Sequence, residues 1–209
     1  MDDHRSRRSP APSERRRDPE RTRQALLDAA LAEFSAKGLA GARVGDIAER
    51  AGVNKQLISY YFGGKEGLYR ALGDRWLAEE AEFARPDMPL TEVVAAYVAD
   101  AAAQRDLHRV VLRESIDDAP TPVPPAADGE VAAEVADLRR RQEAGELDAD
   151  LDPALLLLAL QGTASVGVVF GADVRALTGL DPASDAFAER YGAFLAGLVA
   201  RLAPPSGGE

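Results

Sequence analysis

Four residues in the first third of the chain bring together the groups that bind nucleic acid: Lys55, Gln56, Ser59 and Tyr60. At about 100° per residue they fall on one arc of a helix running from Lys55 to Phe62. Leu57, Ile58, Tyr61 and Phe62 fall on the other arc. A cation, an amide, a hydroxyl and an aromatic ring on one face can bind phosphates, base edges and thymine methyl groups in a major groove. The same face also suits the solvated side of a small helical hairpin, since helix-turn-helix geometry occurs in proteins that bind no DNA.

These residues need a partner helix, and the stretch before them supplies one. Val44, Ile47 and Ala48 stand at i, i+3 and i+4, one face of a helix. Gly52 can take the left-handed conformation that ends a helix, because it has no Cβ to clash. Asn54 then offers a side-chain oxygen to the free N–H groups of the next helix. Two helices meeting through a short Gly-containing turn are the signature of a helix-turn-helix. Upstream, Asp18-Pro19 is expected to open the first helix, with Asp as cap and Pro in the first turn. Its apolar positions, Leu26, Leu27 and Phe34 among them, continue to a stop at Lys37-Gly38. Arg21 and Arg23 lie in its first turns, where either phosphate or solvent accounts for them. Downstream, Gly63-Gly64-Lys65-Glu66-Gly67 does not have the spacing of a phosphate loop and no buried strand precedes it. It reads as a turn into a helix from Lys65 to Phe83, with Lys65 placed to meet phosphate beside the free N–H groups of the helix end.

Composition limits the alternatives. The 209 residues allow one domain or two small ones, and 46% hydrophobic content suffices for a core. Cysteine is absent, which rules out disulfides, thiolate metal sites and thiol nucleophiles, and fits a reducing cytoplasm. The net charge of −10 is unevenly spread: residues 1–85 hold 16 Lys and Arg against 14 Asp and Glu, and residues 86–209 hold 9 against 21. The acid lies outside the helix-turn-helix and discourages binding to DNA through the wrong surface. Residues 1–17 are polar and arginine-rich, and read as a disordered basic arm; Arg7-Arg8 lacks the apolar segment that an export signal requires. Arg15, Arg16 and Arg17 suit either a solubilising tail or a groove-reaching arm.

Residues 21–72 resemble the DNA-binding domain of the TetR family of bacterial transcriptional regulators. The matching segments are ALLDAALAEFSAKG and VGDIAERAGVNKQLISYYFGGKEGLYRAL. The resemblance implies an all-α fold, a homodimer, and a C-terminal domain that binds a small effector. It divides the chain into the arm at 1–17, a helix-turn-helix domain at 18–64, and an effector-binding and dimerisation domain at 65–204. Carried onto this sequence, the base-facing positions are Lys55, Gln56, Leu57, Ser59 and Tyr60, and the phosphate-contacting ones Tyr61 and Lys65. Leu57 lies near the boundary of the apolar arc, so its two assignments conflict. Two departures stand out. Arg43 and Val44 occupy positions where the family often has Thr or Ser, and Gly45 stands where it often has a polar or basic residue. Arg43 then supplies a phosphate contact, and base reading rests on Lys55, Gln56 and Tyr60.

The remaining chain reads as helices. Thr91 to Gln104 and Leu107 to Ile116 are amphipathic, Ala119 to Gly129 is a proline-rich loop, and Val131 to Gly145 is a charged helix. His108 has only His4 as companion, so a histidine metal centre is not expected, nor any cofactor. Ala154 to Ala172 carries no charge across 19 residues. Gln161, Thr163, Ser165 and three glycines interrupt it, and Asp152 and Asp173 flank it, so it reads as one buried helix rather than a membrane span. Phe187, Tyr191, Phe194, Leu198 and Leu202 make a helical stripe. The resemblance implies that these last two helices pair with their copies across a two-fold axis, and Leu156, Gly167, Phe187, Tyr191, Phe194 and Leu198 are assigned to that interface. Trp76, Phe83, Tyr97, Arg113, Gln161 and Ser165 combine rings with a few polar groups and are assigned to the effector pocket. An enzyme is disfavoured by the absence of Cys and of any Ser/His/Asp arrangement. The expected function is a repressor released from a palindromic DNA operator by a small molecule, with the helix Lys65 to Phe83 as connecting rod.

Overall fold

The computed structural model describes residues 12–116 and 128–204, and within them all regular structure is helical. The proline-rich loop expected after Ala119 falls largely outside these residues, as does most of the N-terminal arm. The chain divides into two units after Leu72.

The first unit is built on α1 (Pro12–Gly41), α2 (Val44–Ala51), α3 (Gln56–Phe62) and the start of α4 (Lys65–Phe83). Helix α1 begins at Pro12, not at the expected Asp18-Pro19, and carries Pro19 inside it. Pro12 takes the first helical position, where a missing N–H costs nothing. The expected stop is present inside α1 as a break at Gly38, which has φ 71° and ψ 168°. Leu26, Ala30, Phe34, Ile47, Ile58 and Leu68 are fully buried and form the core, and Tyr69 meets Phe34 edge-on at 5.6 Å. Burying each large aliphatic of this set contributes about 1.5–3 kcal/mol.

Glu33 is buried on the same face of α1 and is neutralised locally. Its Oε1 accepts from Arg50 Nη2 at 2.9 Å, and its Oε2 lies 2.6 Å from Lys37 Nζ. Lys37 also reaches Asp46 at 2.8 Å, so one acid-base group joins α1 to α2. Hydrogen bonds from Lys37 and then Arg50 hold the Glu33 carboxyl below its ordinary value.

The second unit contains the rest of α4, then α5 (Leu90–Ala103), α6 (Arg105–Ile116), α7 (Asp128–Glu143), α8 (Pro153–Ala164), α9 (Val166–Val169), α10 (Gly171–Thr178) and α11 (Asp185–Val199), closed by a 3₁₀ turn at Ala200–Leu202. Helices α5 and α11 make its central pair. They approach closely where Gly192 faces Ala95, and a Cβ there would lie 3.4 Å from the Ala95 Cα. Val94, Val98, Leu138, Leu147, Leu195 and Val199 fill the core between α5, α7 and α11. Arg141 is 2% exposed, yet its Nε meets Asp137 at 2.6 Å and its Nη1 meets Glu146 at 2.8 Å. Glu146 also accepts the N–H of Leu90, a free donor at the start of α5.

The uncharged stretch 154–172 is not one buried helix. It is broken at Ser165 and Phe170 into α8, α9 and the start of α10. Asp152 caps α8, accepting from the N–H groups of Ala154 and Leu155, and no residue of α8 is fully buried. Leu155 and Leu158 are 65% and 64% exposed. Among the described residues no helix is long and apolar enough to cross a membrane.

Candidate nucleic-acid interface and ligand region

Local sequence fixes the geometry of the turn. Gly52 ends α2 in the left-handed region (φ 68°, ψ 30°), and its N–H reaches the carbonyls of Ala48 and Glu49. Asn54 Oδ1 accepts the N–H of Gln56 at 2.9 Å, the cap read from the sequence. Helix α3 then divides as its periodicity demands. Ile58 is fully buried, Leu57, Tyr61 and Phe62 are half-buried, and Lys55, Gln56, Ser59 and Tyr60 are exposed. Tyr60 is 78% exposed, with its ring edge-on to Tyr61 at 4.9 Å. Leu57 lies between the two arcs, so only part of its side chain is available to a ligand. Arg43 is exposed at the N-cap of α2. A Cβ at Gly45 would meet nothing within 4 Å, so that position is open.

Lys65 is placed differently from the expectation. Its Nζ donates to the carbonyls of Leu39 at 2.7 Å, Ala42 at 3.2 Å and Ala40 at 3.5 Å. An ammonium has three N–H donors, and these carbonyls at the end of α1 engage all of them. The side chain ties the end of α1 to the start of α4.

The sequence pattern alone does not single out Gly67. A Cβ at this position would lie 1.6 Å from the carbonyl oxygen of Phe62, so α4 can start this close to α3 only with glycine there. The Lys-Glu-Gly-Leu run carried that signal, but nothing in its spacing said which backbone lay opposite. The Glu33, Lys37, Asp46 and Arg50 group was likewise not read, since its members lie up to 17 residues apart.

Of the six residues assigned to a ligand pocket, three share one region. Trp76 Nε1 donates to Asp100 Oδ2 at 3.1 Å, Phe83 meets Tyr97 edge-on at 5.2 Å, and the Tyr97 hydroxyl donates to Glu80 Oε1. Burial and the Glu80 carboxylate push the Tyr97 phenol well above its ordinary value, so it stays protonated and donates. Asp100 also meets His108 Nε2 at 2.9 Å and accepts from Gln104 at 2.7 Å. These bonds outweigh its desolvation, and its carboxyl sits below the usual range. Arg113 and Gln161 are exposed, and Ser165 donates to the carbonyl of Gln161, so these three do not join the rings. A partly open cleft of about 390 Å³ lies elsewhere, lined by Val166, Phe170, Val174, Leu177, Phe187 and Tyr191 with Asp173 and Thr178. None of the six residues lines it.

The interface assignments divide as well. Phe194 and Leu198 are 58% and 41% exposed on α11. Phe187 is buried and stacks on Tyr191 at 5.3 Å, and a Cβ on Gly167 would come within 3.0 Å of the Phe187 ring. Leu156 and Tyr191 pack against the core of their own unit, and Tyr191 donates to the carbonyl of Thr163 at 3.2 Å. Leu155, Leu158 and Leu177, the last 85% exposed, are further large apolar residues left in water.

A helix-turn-helix with a polar, exposed second helix, followed by a separate helical unit, is the arrangement of a class of DNA-binding regulators with an appended all-α domain. Residues 26–72 match the family described as bacterial regulatory proteins, tetR family. Over 166 residues the chain is 32% identical to the HTH-type transcriptional repressor SCO4008 of Streptomyces coelicolor, covering 78% of this chain and 86% of that protein. The HTH-type transcriptional regulator RutR of Escherichia coli K12 is 43% identical over 75 residues, 34% of this chain and 35% of its own. The crystal structure of SCO4942 from Streptomyces coelicolor superposes with a TM-score of 0.69 at 29% identity, covering 88% of this chain and 98% of that one. The chain belongs to the TetR family of bacterial transcriptional regulators. It is a DNA-binding regulator and not an enzyme.

Proposed function

We propose that this regulator is a repressor that acts in the cytoplasm as a homodimer, binds a near-palindromic operator, and leaves it when a small molecule occupies the second unit. The observation that carries the reading is the division of α3: Lys55, Gln56, Ser59 and Tyr60 stand exposed around a fully buried Ile58. A helix anchored by its apolar side presents its polar side in fixed register, as base reading requires. The sign of regulation follows the similarity to a protein named as a repressor. Two copies of α3 on a two-fold axis would enter successive major grooves about 34–36 Å apart. Leu155, Leu158, Phe194 and Leu198 on α8 and α11 are the exposed apolar side chains available to pair two copies. Trp76, Phe83 and Tyr97, with Asp100 and Glu80 beside them, are the region assigned to the effector. An effector shifts the equilibrium only by its differential affinity for the two conformers.

Selection of bound duplexes from a random pool, followed by release with candidate small molecules, tests the reading. One near-palindromic duplex should bind far better than scrambled DNA at equal salt. Gln56→Ala should then change the preference among operator variants by about 1–3 kcal/mol. Absence of any preferred duplex would overturn it.

A further inference from the structure

The first unit must find its phosphate contacts among basic side chains not already engaged within it. Lys37 and Arg50 are held by Glu33 and Asp46, and Lys65 by the carbonyls of Leu39, Ala40 and Ala42. Arg23 is in another situation. It is exposed on α1, no carboxylate pairs with it among the described residues, and its guanidinium carbon lies over the Phe62 ring, 5.4 Å from the centroid. Phe62 is the last residue of α3, and its ring is 6.4 Å from that of Tyr61, which in turn is 4.9 Å from that of Tyr60. A continuous row of rings therefore runs from the exposed arc of α3 to the Arg23 cation.

Stacking on a ring holds a guanidinium in place yet leaves its N–H fork free, and that fork matches the oxygens of a phosphate. We propose that Arg23 is a phosphate-contacting residue that sets the seating of α3 on the duplex. The proposal rests on the operator-binding reading above. Arg23 donates to backbone oxygens of the DNA whatever the base sequence, and the ring row carries its position to Tyr60.

The test measures affinity against salt for the full-length protein on its selected duplex and on scrambled DNA. Each phosphate neutralised by a cation steepens the fall of log K with log salt by about 0.9. Arg23→Gln should make the slope shallower by about that amount per protomer, equally on both duplexes, with the protein still folded at the assay temperature. Arg23→Lys keeps the charge and should restore the slope. A wild-type slope in Arg23→Gln would overturn the proposal and leave the operator reading intact. So would a loss confined to the selected duplex, or a slope that lysine does not restore. A wild-type protein that binds neither duplex would overturn both.

Discussion

The ammonium of Lys65 lies 2.7 Å from the carbonyl oxygen of Leu39. A cation here satisfies oxygens left open where α1 ends, which is a capping role. Lys65→Met should lower the stability of the first unit by about 1.5–3 kcal/mol, the range for hydrogen bonds to a charged group. The salt slope of DNA binding should stay at its wild-type value at a temperature where the variant is folded. Urea unfolding followed by helix signal, paired with gel shifts at several salt concentrations, checks both parts.

Gly67 and Gly45 are opposite cases within one motif. A Cβ at Gly67 would sit 1.6 Å from the Phe62 carbonyl oxygen, whereas one at Gly45 would meet nothing within 4 Å. Gly67→Ala must push α3 and α4 apart and should cost about 3 kcal/mol or more, with operator binding lost. Gly45→Ala adds a better helix former in open space and should stabilise by about 0.5–1 kcal/mol. Thermal unfolding of the two variants side by side distinguishes them.

Glu33 links stability to pH. Its carboxyl is held below its ordinary value of 4.5 by Lys37 and Arg50. A depressed carboxylate contributes fully above that value, and the contribution is lost as pH falls through the lower, folded one. Stability of the first unit should therefore hold from neutral pH to about 4.5 and decline below it. Glu33→Gln should start lower at pH 7 and show a flatter acid limb, read from Tm between about pH 3 and 7.

Phe194 tests the pairing of copies. Its ring is 58% exposed on α11, so a charge there is solvated in a single chain and would be buried only if α11 pairs two copies as proposed. Phe194→Asp should change the stability of the isolated chain by no more than about 0.5 kcal/mol and weaken association at least a hundredfold. Sedimentation velocity over a dilution series is the measurement. A dimer that persists would move the interface elsewhere.

The sequence was most legible where a local period decides the outcome. The two arcs of α3, the Gly52 stop and the Asn54 cap are short-range matters, and the structure has all three. The ends of α4 at Lys65 and Phe83 were also readable. Long-range partners were not. Nothing near Lys65 announces that its ammonium will meet carbonyls more than twenty residues earlier. The uncharged run from Ala154 reads as a buried rod, because lack of charge alone does not tell a core from an exposed apolar face. The helix instead breaks at Ser165 and Phe170, and Leu155 and Leu158 are exposed. Residue type suggests a pocket set but does not fix tertiary pairing: Trp76, Phe83 and Tyr97 share a region, while Arg113 and Gln161 are exposed.

Trp76 is the single tryptophan of the chain. Its indole N–H is bonded to Asp100, and its ring meets the His108 imidazole edge-on at 5.9 Å. The indole emission of this regulator is therefore an optical reporter confined to the second unit. It registers any rearrangement among α4, α5 and α6, including one driven by a bound small molecule, without an added dye. The first unit contributes no tryptophan, so its melting must be followed by another signal, and the two units can be monitored separately in one sample.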